Sequence, residues 1–174
     1  MKRLSIQTLK LREDDKAKTK SFFMLNPYVK VDKRFTKFLK DYSKINSNCD
    51  VRICVHEGPK STHHDMILYQ KKGNFYLPHK HNHCGDTYHV IEGKLACFLF
   101  DEKGNITYRC LIKKNEIFKT PKKVYHVTSP ITDVIYHESK TGKFKSGTNS
   151  IFPKWTPKNK KEISAFKKKL FRNL

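Results

Sequence analysis

Residues 73–93, GNFYLPHKHNHCGDTYHVIEG, carry two histidines at alternate positions, His79 and His81, followed by Asp86. Alternate side chains of an extended strand leave on the same face, so both imidazoles are expected to point into one interior. A turn at Gly85 separates them from Asp86. This stretch therefore predicts nitrogen and oxygen ligands gathered at one point of a β-rich fold.

A fourth candidate ligand, His126, lies far downstream in NEIFKTPKKVYHV, where a second apolar strand follows a proline-containing turn. Three imidazoles and one carboxylate suit a first-row divalent ion, so we predict one ion of Fe, Mn, Ni, Co or Zn at His79, His81, Asp86 and His126. The short Asp86 side chain leaves two alternatives. It binds the ion directly, or it contacts the ion through water while three histidines bind.

The spacing around the two histidines resembles the first cupin motif. Gly73, His79-x-His81, Asp86 and Gly93 follow one another as in that motif, with Asp86 in the place usually held by Glu. The substitution keeps the negative charge and shortens the side chain. The resemblance implies a mainly β fold, the cupin double-stranded β-helix or jelly-roll barrel, with these side chains as metal ligands.

The segment around His126 is similar to the second cupin motif. Pro121 and His126 match the motif, whereas Asn115 and Lys123 stand where glycines are usual and Pro130 replaces its final Asn. The histidine that binds the metal is retained. The resemblance therefore implies one ion held by ligands from two distant segments.

Three further segments look like the WbuC group of cupin-fold metalloproteins, which is found with surface-polysaccharide (O-antigen) genes. They are RICVHEGPKSTHHDMIL before the motif, HVIEG inside it, and YHESKTGKFKSGTNSIFPKWTP after His126. The likeness covers about residues 33–157. It implies an activated sugar as the substrate class, and the fold resemblance implies a homodimer.

The strand pattern agrees with a sandwich or barrel. From Val51 onward, short runs rich in β-branched and aromatic residues alternate with turn signals, as in DMILYQ, KLACFLF, ITYRCLI and VYHVTS. Seven or more short strands favour a sandwich or barrel, and a parallel α/β sheet lacks the interleaved helices it would need.

The flanking parts of the chain predict short additions to this barrel. In residues 1–31 we expect two short strands around a polar loop, the first with Leu4 and Ile6 on one parity, and RFTKFLKDYSKI at 34–45 has the spacing of an amphipathic helix. The predicted parts are an N-terminal extension at 1–50, a cupin barrel at 51–157 and a basic amphipathic tail at 158–174.

The tail carries Ile163, Phe166 and Leu170 on one helical stripe among seven basic side chains. Such a helix can lie peripherally on an anionic membrane or partner, or it can pack its stripe on the barrel exterior with the lysines in water. The stripe is narrow, and the tail follows the Trp155-Thr156-Pro157 stop. The sequence therefore predicts that the barrel folds without the tail.

Composition limits the partners and the compartment. The chain has 174 residues, enough for one core, and a net charge of +21, which favours anionic small molecules such as sugar phosphates and nucleotides. Nucleic acid is not the expected partner, because no helix-turn-helix, RNP or zinc-finger pattern is present. Five cysteines without paired CxxC spacing and no apolar run of signal-peptide or membrane length predict a soluble cytoplasmic protein.

Other polar residues are candidates for substrate contacts and proton transfer. Arg52, His56 and Lys80 are predicted to meet the phosphates of an anionic sugar. Glu138 and its neighbour His137 lie on the last barrel strand, where one of the two must face inward, and Glu138 is a candidate general base. His89 is a second candidate; strand parity from Asp86 turns it outward, unless the register slips through the Gly85 turn.

Three functions remain open on the sequence. The first is a metal-dependent enzyme, isomerase- or epimerase-like, that acts on an activated sugar in surface-polysaccharide (O-antigen or capsule) biosynthesis. The second is an Fe(II)-dependent dioxygenase, since a histidine-rich site with open positions also suits iron and oxygen. The third is a non-catalytic sugar-binding protein in which the metal only stabilises the barrel.

Overall fold

The computed structural model describes residues 9–26, 28–143, 149–172 and 174. Within these ranges the chain forms ten strands and two helices. In chain order they are β1 (Leu11–Glu13), β2 (Lys20–Met24), α1 (Lys33–Ile45), β3 (Val51–Cys54), β4 (His63–Gln70), β5 (Thr87–Glu92), β6 (Lys94–Phe100), β7 (Ile106–Lys113), β8 (Ile117–Lys119), β9 (Tyr125–Pro130), β10 (Val134–Thr141) and α2 (Lys160–Phe171).

The strands form two sheets. One has seven strands in the order β1-β2-β3-β4-β10-β5-β8, and the other has three in the order β7-β6-β9. The β2–β3 pair is parallel and the other pairs are antiparallel. An isolated antiparallel bridge between His79 and His126 adds the segment at His79 beside β9 as a short fourth row of the second sheet.

The order of pairing identifies the fold. The chain runs outward through β4, the His79 segment, β5 and β6, and returns through β7, β8, β9 and β10. Each outgoing piece pairs with a returning one: β4 with β10, His79 with β9, β5 with β8, and β6 with β7. A long hairpin wound across two sheets in this way is a jelly roll, or double-stranded β-helix. The predicted cupin-type, mainly β fold class is confirmed.

The main core lies between the two sheets, because side chains alternate along each strand. On β6, Leu95, Cys97 and Leu99 belong to the inner cluster together with Val90 of β5 and Tyr136 of β10. These residues are buried. The inner faces of β5 and β10 continue from this core toward the candidate metal ligands.

Helix α1 covers the outer face of the seven-stranded sheet. Asp32 caps it by accepting a hydrogen bond from the Arg34 backbone N–H at 2.9 Å. Phe35 and Leu39 pack in an outer cluster with Ile53 and Ile67. The helix predicted at 34–45 is present, and β1 and β2 extend the same sheet. Leu4 and Ile6 lie outside the described residues.

Helix α2 covers the outer face of the three-stranded sheet. Leu170 is fully buried in a third cluster, with Phe98 and Val127, and Phe166 packs at its margin. The apolar stripe of the tail therefore packs on the barrel, the second of the two arrangements considered from the sequence. Because Leu170 closes a cluster on β6 and β9, we expect the barrel to depend on α2, contrary to the expectation of a dispensable tail. Among the described residues, neither helix has the length and apolarity needed to cross a bilayer.

Candidate metal centre

Backbone hydrogen bonds bring the two histidine segments together. His79 donates its N–H to the His126 carbonyl at 3.0 Å and accepts from the His126 N–H at 2.9 Å. The carbonyl of His81 accepts from the Lys123 N–H at 2.8 Å. Residues that are far apart in sequence are therefore held side by side by the main chain, before any side chain contributes.

Asp86 is held at the start of β5 by Thr120, just after β8. The Asp86 N–H donates to Thr120 Oγ1, and the Thr120 N–H donates to the Asp86 carbonyl, both at 2.9 Å. Gly85 permits this close approach, since a Cβ there would meet the Thr120 carbonyl oxygen at 1.7 Å. The Asp86 carboxylate is almost fully buried and also accepts from the Tyr88 hydroxyl at 3.2 Å.

Each of the three imidazoles is oriented through its Nδ1 atom. The partner in every case is a backbone carbonyl oxygen: Leu77 at 2.9 Å for His79, Val124 at 3.0 Å for His126, and Asn149 for His81. A carbonyl oxygen only accepts hydrogen bonds, so Nδ1 carries the proton and Nε2 keeps a free lone pair. This is the arrangement expected of histidines that bind a metal through Nε2.

The Nε2 atoms and the carboxylate meet at one place. His79, His81, Asp86 and His126 each offer one ligand atom, and these atoms lie within 4.8 Å of one another. Asp86 Oδ2 lies 3.0 Å from His126 Nε2 and 3.2 Å from His81 Nε2. With the protons on Nδ1, these contacts bring lone pairs together, and a cation between them would remove the repulsion.

Two buried polar atoms of the cluster, His81 Nε2 and Asp86 Oδ1, lack a hydrogen-bond partner. Buried polar atoms are normally satisfied, so unpaired ones at a cluster of ligand atoms fit the place of an ion. Metal–nitrogen bonds of about 2.1 Å separate opposite ligands by roughly 4.2 Å, close to the observed spread. The cluster can hold a metal ion, and the donor set is compatible with each of Fe, Mn, Ni, Co and Zn.

The charges of the site favour a bound cation. Burial, followed by the nearby His126, lowers the pKa of His79 to about 4, so this imidazole is neutral at pH 7. For Asp86, burial raises the pKa, but the positive charge of Lys140, together with the neighbouring His126 and His81, outweighs this effect and holds the pKa well below its usual range. A neutral imidazole beside an ionised carboxylate is the protonation state that metal binding requires.

A lysine and a glutamate lie next to the cluster on the inner face of β10. Lys140 Nζ is 3.8 Å from Asp86 Oδ1 and 3.4 Å from Glu138 Oε1. Burial lowers the pKa of Lys140, but Glu138 and Asp86 outweigh that effect, so the pKa is raised and the ammonium stays charged. The side chains of Lys140 and Glu138 are 16% and 15% exposed, so both are largely shielded from solvent.

The other predicted residues are divided between the two faces of the sheets. Glu138 faces inward, and Arg52 donates to Ser21 Oγ at 2.6 Å on the inner side of β3. His56 binds the main chain of Asp65 and contacts His64 at 3.1 Å, with no contact to the metal cluster among the described residues.

Two candidates lie away from the cluster. Lys80 alternates with His79 and His81, so its ammonium lies on the opposite face, 2.7 Å from Glu102 and 4.2 Å from the Tyr125 ring centroid. His89 is on the outer face of β5, opposite His137 of β10. The register does not slip at Gly85, and the outward orientation expected from parity is the one observed.

Lys140 is the residue that sequence reasoning did not single out. The available signal was strand parity, because a strand with Glu138 facing inward also turns Lys140 inward two residues later. A lysine near the end of a strand is more often exposed, so the sequence alone gave no reason to expect Lys140 in the interior.

Comparison with known proteins does not name a function. A family described as "Domain of unknown function (DUF6016)" matches residues 50–112, less than half of the chain. No curated protein matches the sequence. The narrower resemblance to the WbuC group stays a hypothesis.

Several solved structures are similar at low identity. A double-stranded β-helix protein from Klebsiella pneumoniae has 15% identity and a TM-score of 0.46, covering 60% of this chain and 79% of its own. KdgF from Halomonas sp. has 15% identity and a TM-score of 0.45, covering 54% and 81%. A conserved protein of unknown function from Streptococcus pyogenes has 6% identity and a TM-score of 0.46, covering 55% and 76%. Similarity at this level says nothing about activity.

Proposed function

We propose that this protein is a metal-dependent enzyme that acts on an activated, anionic sugar in an isomerase- or epimerase-like reaction. The observation that carries the proposal is the convergence of three imidazoles, each anchored through Nδ1, with the buried Asp86 carboxylate. Four protein donors leave two positions of an octahedral ion for a carbonyl and a hydroxyl of the substrate. When bound, the ion would supply Lewis-acid stabilisation of negative charge on such oxygens.

Glu138 is the proposed proton acceptor. Isomerisation through an enediolate, and epimerisation at a carbon beside a carbonyl group, begin with removal of a proton from that carbon, and a positioned carboxylate can take it. The Glu138 carboxylate faces the barrel interior, 3.4 Å from the Lys140 ammonium. His89 is not assigned a role in this step, because it lies on the outer face of β5.

The substrate class rests on two observations. The net charge of +21 favours an anionic partner, and the resemblance to the WbuC group points to surface-polysaccharide biosynthesis. The positively charged Arg52, on the inner side of β3, supports contact with a phosphate or carboxylate. A homodimer, implied by the fold resemblance, remains part of the proposal.

Elemental analysis of protein purified without added metal tests the site. We expect about one transition-metal ion per chain in the wild type and loss of that ion in the His79→Ala/His81→Ala variant. His89→Ala is the matched control, because it removes a histidine from the outer face and should keep the ion. Equal metal content in the wild type and the double variant would reject the site.

Solvent exchange tests the reaction. The metal-loaded protein is incubated in D2O with a panel of nucleotide-linked keto sugars, whose carbonyl group makes the neighbouring C–H exchangeable, and NMR detects deuterium at carbon. We expect exchange in the wild type and its loss in Glu138→Gln with metal content retained. The three-imidazole donor set also favours an Fe(II)-dependent dioxygenase, and substrate-dependent oxygen consumption would replace the first function with that one. Sugar binding without either reaction would indicate a non-catalytic binding protein.

A further inference from the structure

The ammonium of Lys140 is incompletely satisfied by its protein neighbours. Hydrogen bonds between an ammonium and a carboxylate are typically about 2.7–2.9 Å long. The distances from its Nζ to Glu138 and Asp86 are 3.4 and 3.8 Å, and among the described residues this ammonium has no other hydrogen bond or ion pair. A shielded ammonium with three donors and only long contacts has capacity for another acceptor.

The ammonium of Lys140 lies on the seven-stranded sheet, opposite the sheet that carries His79 and His126. His126 belongs to the three-stranded sheet, and His79 is bridged to it. Lys140 and His64 belong to the neighbouring strands β10 and β4 of the seven-stranded sheet, and Asp86 directly precedes β5 of that sheet. Lys140 pairs with His64 in the register of β10 and β4. A ligand of the ion that extends toward the seven-stranded sheet beside Asp86 would therefore lie within reach of the Lys140 ammonium.

The charges around this position do not balance once an ion is bound. Asp86 and Glu138 carry two negative charges, and Lys140 and Arg52 carry two positive charges. A divalent cation adds two more positive charges in a shielded space, where uncompensated charge is costly. An anionic ligand would restore the balance.

We propose that Lys140 binds a carboxylate group of the substrate. This carboxylate is attached to the same carbon as the oxygen that binds the ion, as in a 2-hydroxy- or 2-oxo-carboxylate unit. This inference rests on the proposed metal site and narrows its substrate class. The short path from Lys140 to Asp86 sets the spacing, because a group that reaches both the ammonium and an ion at Asp86 spans only a few ångströms. A phosphate carried several bonds away from the metal-binding oxygen does not meet this requirement.

Binding of small probes to Co(II)-loaded protein tests the inference, since the visible spectrum of Co(II) responds to a change of ligands. The probes are glycerate, glycerol, which lacks the carboxylate, and glycerol 3-phosphate, which carries its charge farther away. The variants are Lys140→Met, which keeps length and removes charge, and Lys140→Arg, which keeps charge. Lys80→Met is the matched control, because Lys80 lies on the opposite face beside Glu102.

We expect the wild type to bind glycerate more tightly than glycerol or glycerol 3-phosphate. Lys140→Met should weaken glycerate about tenfold to a hundredfold at unchanged cobalt content, the usual effect of losing a charged hydrogen bond. Lys140→Arg should retain most of the affinity, and Lys80→Met all of it.

Three results would overturn the inference and leave the metal site intact: equal glycerate affinity in the wild type and Lys140→Met, no preference for glycerate over glycerol in the wild type, or a preference for glycerol 3-phosphate. The wild-type comparison does not depend on whether a variant folds. Failure of the wild type to take up cobalt is a different result, because it overturns the proposed function together with this inference.

Discussion

The Cα of Gly85 and the carbonyl oxygen of Thr120 approach so closely that a Cβ at residue 85 would lie 1.7 Å from that oxygen. Both atoms belong to the backbone, so neither can move without moving its strand. Asp86 follows directly and exchanges two hydrogen bonds with Thr120. The absence of a side chain at Gly85 is therefore a condition for the position of the Asp86 carboxylate.

Gly85→Ala should reduce both stability and metal content. The overlap with Thr120 forces β5 and β8 apart, and overpacking of this kind costs about 1–3 kcal/mol. Urea unfolding and elemental analysis measure the two effects. Gly58→Ala is the control, because a Cβ at Gly58 has nothing within 4 Å. Normal metal content in Gly85→Ala would show that Asp86 is not held through this contact.

Lys123→Gly should stabilise the protein. Lys123 has a φ of 65° and stands where the second cupin motif usually has glycine. The left-handed conformation costs a non-glycine residue roughly 1 kcal/mol, which glycine avoids. Thermal melting should therefore rise for Lys123→Gly and fall slightly for the neighbouring exposed Lys122→Gly. Asn115 has a φ of 67°, and Asn115→Gly should raise the melting temperature less, because asparagine tolerates this conformation. A lower melting temperature for Lys123→Gly contradicts the argument.

Acidification should destabilise the fold through the His56–His64 pair. Burial lowers the pKa of His56, and burial together with the nearby His56 lowers the pKa of His64. Below the ordinary histidine pKa of about 6.5, the unfolded chain binds protons that the folded chain does not, so stability falls as the pH decreases. Stability should be insensitive to this pair above that pH.

The measurement is urea unfolding between pH 7.5 and 5.5 in the presence of a chelator, which keeps metal release out of the comparison. His64→Asn should give a shallower loss of stability on acidification than the wild type. His89→Asn provides the control with an outer-face histidine. Parallel curves for the wild type and His64→Asn would show that the pair does not contribute.

Leu170→Ala should lower the free energy of unfolding by about 2–5 kcal/mol, the usual cost of removing a buried leucine side chain. Leu170 is fully buried between α2 and the three-stranded sheet. Lys168→Ala, on the exposed side of the same helix, should stay within about 0.5 kcal/mol of the wild type. Chemical denaturation of the full chain distinguishes the two. A change as small as that of the control would mean that the barrel does not need α2.

Removal of the metal should lower the melting temperature. An ion that binds only the folded state stabilises it in proportion to the logarithm of its concentration over its dissociation constant. EDTA should therefore shift the melting curve of the metal-loaded wild type downward. His126→Ala, which lacks one ligand, should melt at the same temperature with and without EDTA. An equal EDTA shift in both proteins would place the stabilising ion elsewhere.

Local geometry was accessible from the sequence. The alternation of side chains along a strand is a property of consecutive residues, so the shared face of His79 and His81 and the outward orientation of His89 could be predicted. The spacing of both histidine segments indicated the fold through its resemblance to cupins. The positive φ values at Asn115 and Lys123 occur where that resemblance calls for glycine.

Contacts between distant segments were decided by the tertiary structure. The proximity of Lys140 to Asp86 depends on the register of β10 against β5, which no short stretch of sequence specifies. Lys80 was predicted to meet the phosphates of the substrate, yet strand alternation turns it away from its neighbours His79 and His81 and toward Glu102. The sequence of α2 predicted an apolar face but not the surface against which this face packs. That surface, around Phe98 and Val127, exists only after β6 and β9 have paired.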